Sequence, residues 1–415
     1  MSEGTAALRA DARAIYDAAV DAVEPAKAVR AALERRPLEG DPYVVAIGKA
    51  ASAMAGAARD RGARRGLIVT NMANARPRAG FRVLVGDHPE PGSGSIAGGD
   101  AVEQAFQEHE ELLVLVSGGA SAMVCAPALG LELHDIVNAT QLLMRRGADI
   151  EELNTVRRHL SRIKGGQALQ EGQGVRALLL SDVLGNAPEA IGSGIAAPDP
   201  TTYRDALRVL ERHGLLGAVT QAVRNHLELG DAGAFPDTPD ARDPRIAGLD
   251  MTIVAGIDQA LEGARACAEA LGYRAILLSP YLEGEAREAA RWIADQAAPQ
   301  GRIALIAGGE TTVTITGRGR GGRSQELALA FAQLRRAEPS GRPWALLSAG
   351  TDGRDGPTDA AGAIIDAERV TGLDAIDQAL ADNNSHPALD AVGALIRTGP
   401  SGTNVGDIVT LLYGE

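Results

Sequence analysis

Apolar residues fall along the chain in two rhythms. At 43–47 (YVVAI), 66–70 (GLIVT), 82–86 (RVLVG), 112–117 (LLVLVS) and 177–181 (ALLLS) they run together in short blocks, while over 7–35, 95–108 and 134–171 they recur at helical spacing. Blocks without polar alternation predict strands buried on both faces. Their alternation with helices predicts a mostly parallel sheet covered on both sides. A second set follows, with strands expected at 251–255, 275–279, 303–307, 311–316, 344–349, 362–366 and 408–412 and helices at 256–271, 284–297 and 323–337. The blocks 303–307 and 311–316, joined by Gly308, Gly309 and Glu310, predict an antiparallel pair, so the second sheet is expected to be mixed. Residues 230–250 are crowded with Gly, Pro and Asp and read as a linker. The expected organisation is therefore two α/β domains, 1–235 and 236–415, which suits a chain of 415 residues.

Composition sharpens this picture. Hydrophobic residues make up 45% of the chain but aromatics only 3%, so the interior is expected to be built from Ala, Val, Leu and Ile, as in α/β layers. A formal net charge of -13 argues against a nucleic-acid partner, which would require Lys and Arg in surplus. Cys125 and Cys267 have no paired spacing, so neither a disulfide framework nor a zinc knuckle is suggested. No run of apolar residues is long enough for a membrane span and the N-terminal stretch is amphipathic, so a cytoplasmic protein is expected. The pattern leaves the oligomeric state open, a homo-oligomer included.

Candidate chemistry collects where predicted strands end, the edge at which open α/β sheets bind ligands. In AIGKAASAM (46–54), Lys49 stands at a helix start, where an anion is favoured and a cation is not, unless something negative docks or the side chain is simply solvated. In LVSGGASAMV (115–124), the small residues Gly118, Gly119, Ala120 and Ser121 would let backbone amides approach phosphate, although this is not a Walker loop and an ordinary turn reads the same way. In LLLSDVLGN (178–186), Asp182 could hold Mg²⁺, accept a proton from a hydroxyl, or cap the next helix. In TVTITGRGRGGRSQELALAF (312–331), Arg318, Arg320 and Arg323 crowd a helix N-terminus and call for an anion. Here Gly317, Gly319 and Gly322 also satisfy the dinucleotide pattern G-x-G-x-x-G, which keeps an NAD(P)H-dependent reductase in view. In SAGTDGRDGPTDAAGAIID (348–366), Asp352 follows a buried strand and is a candidate Mg²⁺ or substrate ligand; Asp355, Asp359 and Asp366 read as turn formers. His88 and Glu90 imitate a zinc-deaminase H-x-E, but no P-C-x-x-C follows.

These strings together resemble the glycerate 2-kinases, which pair an N-terminal Rossmann-like domain with a C-terminal MOFRL domain. The resemblance runs through AIGKAA from 46, GDHPEPGSGS from 86, LVSGGASAM from 115, LNTVRRHLSRIKGGQ from 153, LLLSDVLGN from 178, AGGETTVTITGRGRGGRSQELALA from 307, SAGTDGRDGPTDAAGA from 348 and TGPSGTNVGD from 398. It implies ATP-dependent phosphorylation of D-glycerate at its 2-hydroxyl, with Mg²⁺ accompanying ATP and the active site in the cleft between domains. Lys49, Asp182 and Arg323 match the family's lysine, aspartate and G-G-R arginine. On this reading Gly118 to Ser121 cradle the nucleotide phosphates, Lys49, Arg320, Arg323 and Asp352 serve the substrate, and Asp182 or Asp352 holds the metal. The departures are Ser324, where the family usually has Asn, and the string Asn383, Asn384, Ser385, His386, and they bear on acceptor details. Members also carry the name hydroxypyruvate reductase, which is the competing activity; a regulatory protein that binds without turnover is the non-enzymatic alternative.

Overall fold

The structure, a computed structural model, describes residues 2–296, 300–337 and 341–415. Its chain divides into two units: Pro25–Val254 forms one, and the residues up to Glu24 with Ala255–Glu415 form the other.

The first unit is built on β1 (Tyr43–Ile47), β2 (Gly66–Thr70), β3 (Phe81–Val85), β4 (Glu111–Val116), β5 (Gly174–Leu180) and β6 (Leu249–Ala255), in the order β3-β2-β1-β4-β5-β6. All pairings from β3 to β5 are parallel. Val45 of β1 lies between Leu67 and Val114, and its even-numbered neighbours Val44 and Ala46 are equally buried. Both strand faces are thus apolar, which is why these segments show no alternation. One face packs Val45, Ile47, Val69 and Val114 against Val102, Ala105 and Phe106 of the helix Ser93–Glu108. A separate helical layer forms around Leu143, Leu153, Val156, Leu210 and Leu227.

The second unit carries β7 (Arg274–Leu282), β8 (Ile303–Gly309), β9 (Trp344–Gly350), β10 (Gly362–Asp366), β11 (Leu395–Ile396) and β12 (Asp407–Tyr413), in the order β11-β10-β9-β12-β8-β7. The pair β7–β8 is parallel and the rest are antiparallel, so this sheet is mixed as expected.

Four expectations need correction. The segment 311–316 is not a strand, and Thr312 makes only an isolated bridge with Glu285. Both edges of β8 are already taken, by β7 and β12, so the chain leaving Gly309 has no edge to return to. The region 134–171 is helical only over Leu133–Arg145 and Ile150–His159, because Gly165 and Gly166 adopt positive φ in the turns beyond. The division at 235/236 falls inside the first unit: Thr238 Oγ1 donates to Asp199 Oδ2 at 3.0 Å, the Asp199 amide donates to the Pro239 carbonyl, and β6 completes the parallel sheet. Conversely, the N-terminal helix Ser2–Ala22 belongs to the second unit, where Ile15 and Tyr16 are buried and the Tyr16 hydroxyl donates to the Gly350 carbonyl at 2.7 Å. The expected helix 284–297 runs from Ala286 to Ala294, and its last expected residue, Ala297, lies outside the described residues.

Candidate active site

In the first unit the chain adds β2 and β3 on one side of β1, then crosses to add β4 and β5 on the other. The reversal leaves a crevice above the carboxyl ends of β1 and β4, where open α/β sheets take their ligands. Sequence reasoning assigned Gly48-Lys49 and Gly118 to Ser121 to these two strand ends, and the structure puts them side by side. The Lys49 amide donates to the Gly118 carbonyl at 2.9 Å, and Ser117 Oγ accepts from the Ala50 amide at 3.0 Å. Gly48 is required: its φ is +114°, and a Cβ there would lie 2.4 Å from the Ser117 carbonyl oxygen. Lys49 itself is exposed.

Asp182, just past β5, reaches the same turn. A Cβ on Gly118 would stand 2.4 Å from Asp182 Oδ2, so the glycine makes room for the carboxylate. His88, beyond β3, packs on Gly119, where an added Cβ would lie 3.1 Å from His88 Cδ2. Burial first, and then the Lys49 ammonium, hold this imidazole below its ordinary pKa, which keeps it neutral near pH 7. Sequence reasoning set His88 aside as a false zinc motif; its place directly after a strand end in GDHPEPG was the available signal. At the other end of the turn, Ser121 Oγ meets Ser193 Oγ at 2.8 Å, and Ser193 Oγ donates to Asn154 Oδ1 at 2.9 Å. Neither Ser193 nor Asn154 was singled out, because only tertiary folding brings them to the turn.

The second unit holds the remaining candidates, and here the electrostatic expectation changes. Arg323 Nε and Nη2 donate to the two oxygens of Asp407 at 2.6 and 3.1 Å, and Nη1 donates to Glu310 at 2.5 Å. The protein itself supplies an anion to this arginine: burial acts to lower its pKa, and Asp407 and Glu310 together outweigh burial and raise it. The helix start is occupied as well: Asp355 accepts the Ser324 and Gln325 amides at 3.2 and 2.8 Å. A Cβ on Gly322 would overlap Asp355, while Gly317 and Gly319 pack on Asp382 and Asn384. A pyrophosphate would need the amides that Asp355 already holds, so G-x-G-x-x-G here is a packing motif rather than a dinucleotide site. Arg318 is exposed and its amide donates to Asp382; Arg320 is exposed, 3.7 Å from Asp359. Asp352 uses Oδ1 to accept the Arg354 amide at 2.9 Å, as a turn former does. Arg323, Asp352 and Asp355 line a groove of ≈ 660 Å³ within this unit. Among the described residues no group of three or more His, Cys, Asp or Glu could hold a metal ion, and no helix is long and apolar enough to cross a membrane.

A sheet wound in both directions from a central crevice, with a small-residue turn, a lysine and a carboxylate at that crevice, places the first unit among the doubly wound α/β proteins. Family models agree and go further: a domain of unknown function (DUF4147) matches residues 11–228 and the MOFRL family matches 303–407. A glycerate 2-kinase of Pyrococcus horikoshii is 37% identical over 90% of this chain and 87% of its own. The D-glycerate 2-kinase of Thermotoga maritima is 37% identical over 95% of this chain and 96% of its own. The crystal structure of a glycerate kinase from Thermotoga maritima superposes with a TM-score of 0.89 at 36% identity, covering 98% of this chain and 99% of that one. The chain belongs to the glycerate 2-kinase family.

Proposed function

We propose that the protein transfers the γ-phosphoryl group of ATP to the 2-hydroxyl of D-glycerate, with the chemistry centred on the Gly118 turn. The observation that carries this reading is the convergence of Lys49, the glycine turn and Asp182 at the topological switch point. Phosphoryl transfer asks a protein mainly for positioning and charge neutralisation. Amides of the turn Gly118 to Ser121 would receive phosphate oxygens, and the Lys49 ammonium would offset the charge of the transferring group. Asp182 would orient the acceptor hydroxyl and take its proton. A nucleotide-borne Mg²⁺ needs only one or two protein carboxylates, so the oxygen donor of Asp182 fits it, and the ion would neutralise phosphate charge. Asp182 is preferred over Asp352 because its carboxylate packs directly on the Gly118 turn. The names carried by the Pyrococcus and Thermotoga relatives support the acceptor.

The test is ADP release with ATP, Mg²⁺ and D-glycerate, with the product's phosphate position read by NMR. An ion pair at contact distance near a surface is worth about 4 kcal/mol, so Lys49→Met is expected to lower turnover by up to about a thousandfold with an unchanged melting temperature. Near-normal turnover in that variant would remove Lys49 from the mechanism. Oxidation of NADPH or NADH by hydroxypyruvate, with no ADP formed from glycerate, would replace the reading altogether.

A further inference from the structure

Arg323 is already paired with Asp407 and Glu310, whereas the segment 153–167 contains two cations without an acidic partner among the described residues. Its four cations divide cleanly. Arg158 pairs with Asp199 at 2.5 Å, and Arg162 pairs with Glu103 at 2.8 Å and Asp100 at 2.9 Å. Among the described residues, Arg157 and Lys164 have no acidic partner at ion-pair distance. Lys164 is only 3% exposed, and its Nζ donates to the Ser121 carbonyl at 2.9 Å. Arg157 is half-buried, and its Nε donates to Thr140 Oγ1 at 3.4 Å. Charges taken out of water without a partner are costly, so an uncompensated pair of cations marks a place that an anion completes.

Their position is specific. Arg157 follows Asn154 by three residues on the helix Ile150–His159, so the two share one helix face. Asn154 is tied through Ser193 to Ser121, and Lys164 holds the carbonyl of that same Ser121. We propose that Arg157 is the oxyanion-binding residue of this site, gripping either the acceptor carboxylate or a nucleotide phosphate, and that Lys164 positions the turn behind it. Burial depresses both cations, and repulsion from Arg157 adds to the lowering of Lys164 to about 8, as expected of neighbouring cations awaiting a counter-charge.

The inference deepens the phosphotransfer reading and rests on it for its two substrates. The experiment compares wild type, Arg157→Ala and Arg157→Lys in two ways: calorimetric binding of Mg·ADP and of D-glycerate separately, and KM for each substrate with kcat. Losing a charge-assisted bond is expected to weaken one of the two ligands by about ten- to a hundredfold, with lysine restoring part of it and melting temperature unchanged. The ligand affected identifies the oxyanion. Unaltered binding of both ligands, or a fall in kcat with a lowered melting temperature and unchanged affinities, would overturn the proposal. If wild type binds but makes no ADP, the phosphotransfer reading fails while the binding comparison still decides Arg157. If wild type binds neither ligand, both fall.

Discussion

Replacing Gly118 with alanine adds one methyl group whose destination is known: 2.4 Å from Asp182 Oδ2, about 1 Å short of ordinary contact. Gly118 does not have positive φ, so alanine suits the backbone and the only conflict is with the carboxylate. That carboxylate ends a rotatable side chain and can swing aside, so the stability cost should stay below about 1 kcal/mol. Function is less tolerant, since a misplacement of about 1 Å costs around a hundredfold in rate, or roughly 2.7 kcal/mol of barrier. Gly118→Ala is therefore expected to melt like wild type and to release ADP from glycerate about a hundred times more slowly. Gly119 provides the contrast. Its φ of +83° makes Gly119→Ala a strained backbone, costing about 1–2 kcal/mol, so that variant should show a lowered melting temperature. If Gly118→Ala melts like wild type and retains turnover within twofold, the packing of Asp182 on this turn has no part in the reaction.

Two further predictions concern the second unit. Arg323→Met leaves the buried Asp407 carboxylate and Glu310 without their cation, and denaturant titration should show a loss of about 3–5 kcal/mol; adding Asp407→Asn should recover part of it. An unchanged midpoint would show that the cluster contributes nothing to folding. Burial first, then the Asp407 charge, raise the Asp355 carboxyl from its ordinary 3.8 to about 7, so the folded protein holds this proton more tightly than the unfolded chain. The resulting stability is complete below pH 3.8 and is lost as pH rises through about 7. Relative to wild type, the non-titrating Asp355→Asn should thus gain about 3 kcal/mol between roughly pH 5 and 8. A gap that is constant with pH would refute the shift.

The strands β1, β2 and β10 fall where uninterrupted apolar blocks predict them, because a strand buried on both faces writes its burial directly into adjacent residues. The placement of Lys49, Gly118 and Asp182 at strand ends was legible for a related reason, since each stands two residues past such a strand. His88 was visible by the same rule but was masked by a misleading motif. For Arg323 the local pattern asks for an anion, and sequence cannot show that Asp407, 84 positions beyond it, already supplies one.

By itself, then, the sequence determined most of the elements and which polar residues stand at the strand ends, since both depend on neighbours a few residues apart. Tertiary structure alone decided which cations were already paired, that 311–316 had no strand edge to join, and which unit the first helix entered. Those outcomes depend on competition among distant groups for a limited number of hydrogen-bonding and charged partners, and that competition is settled only when the chain has closed.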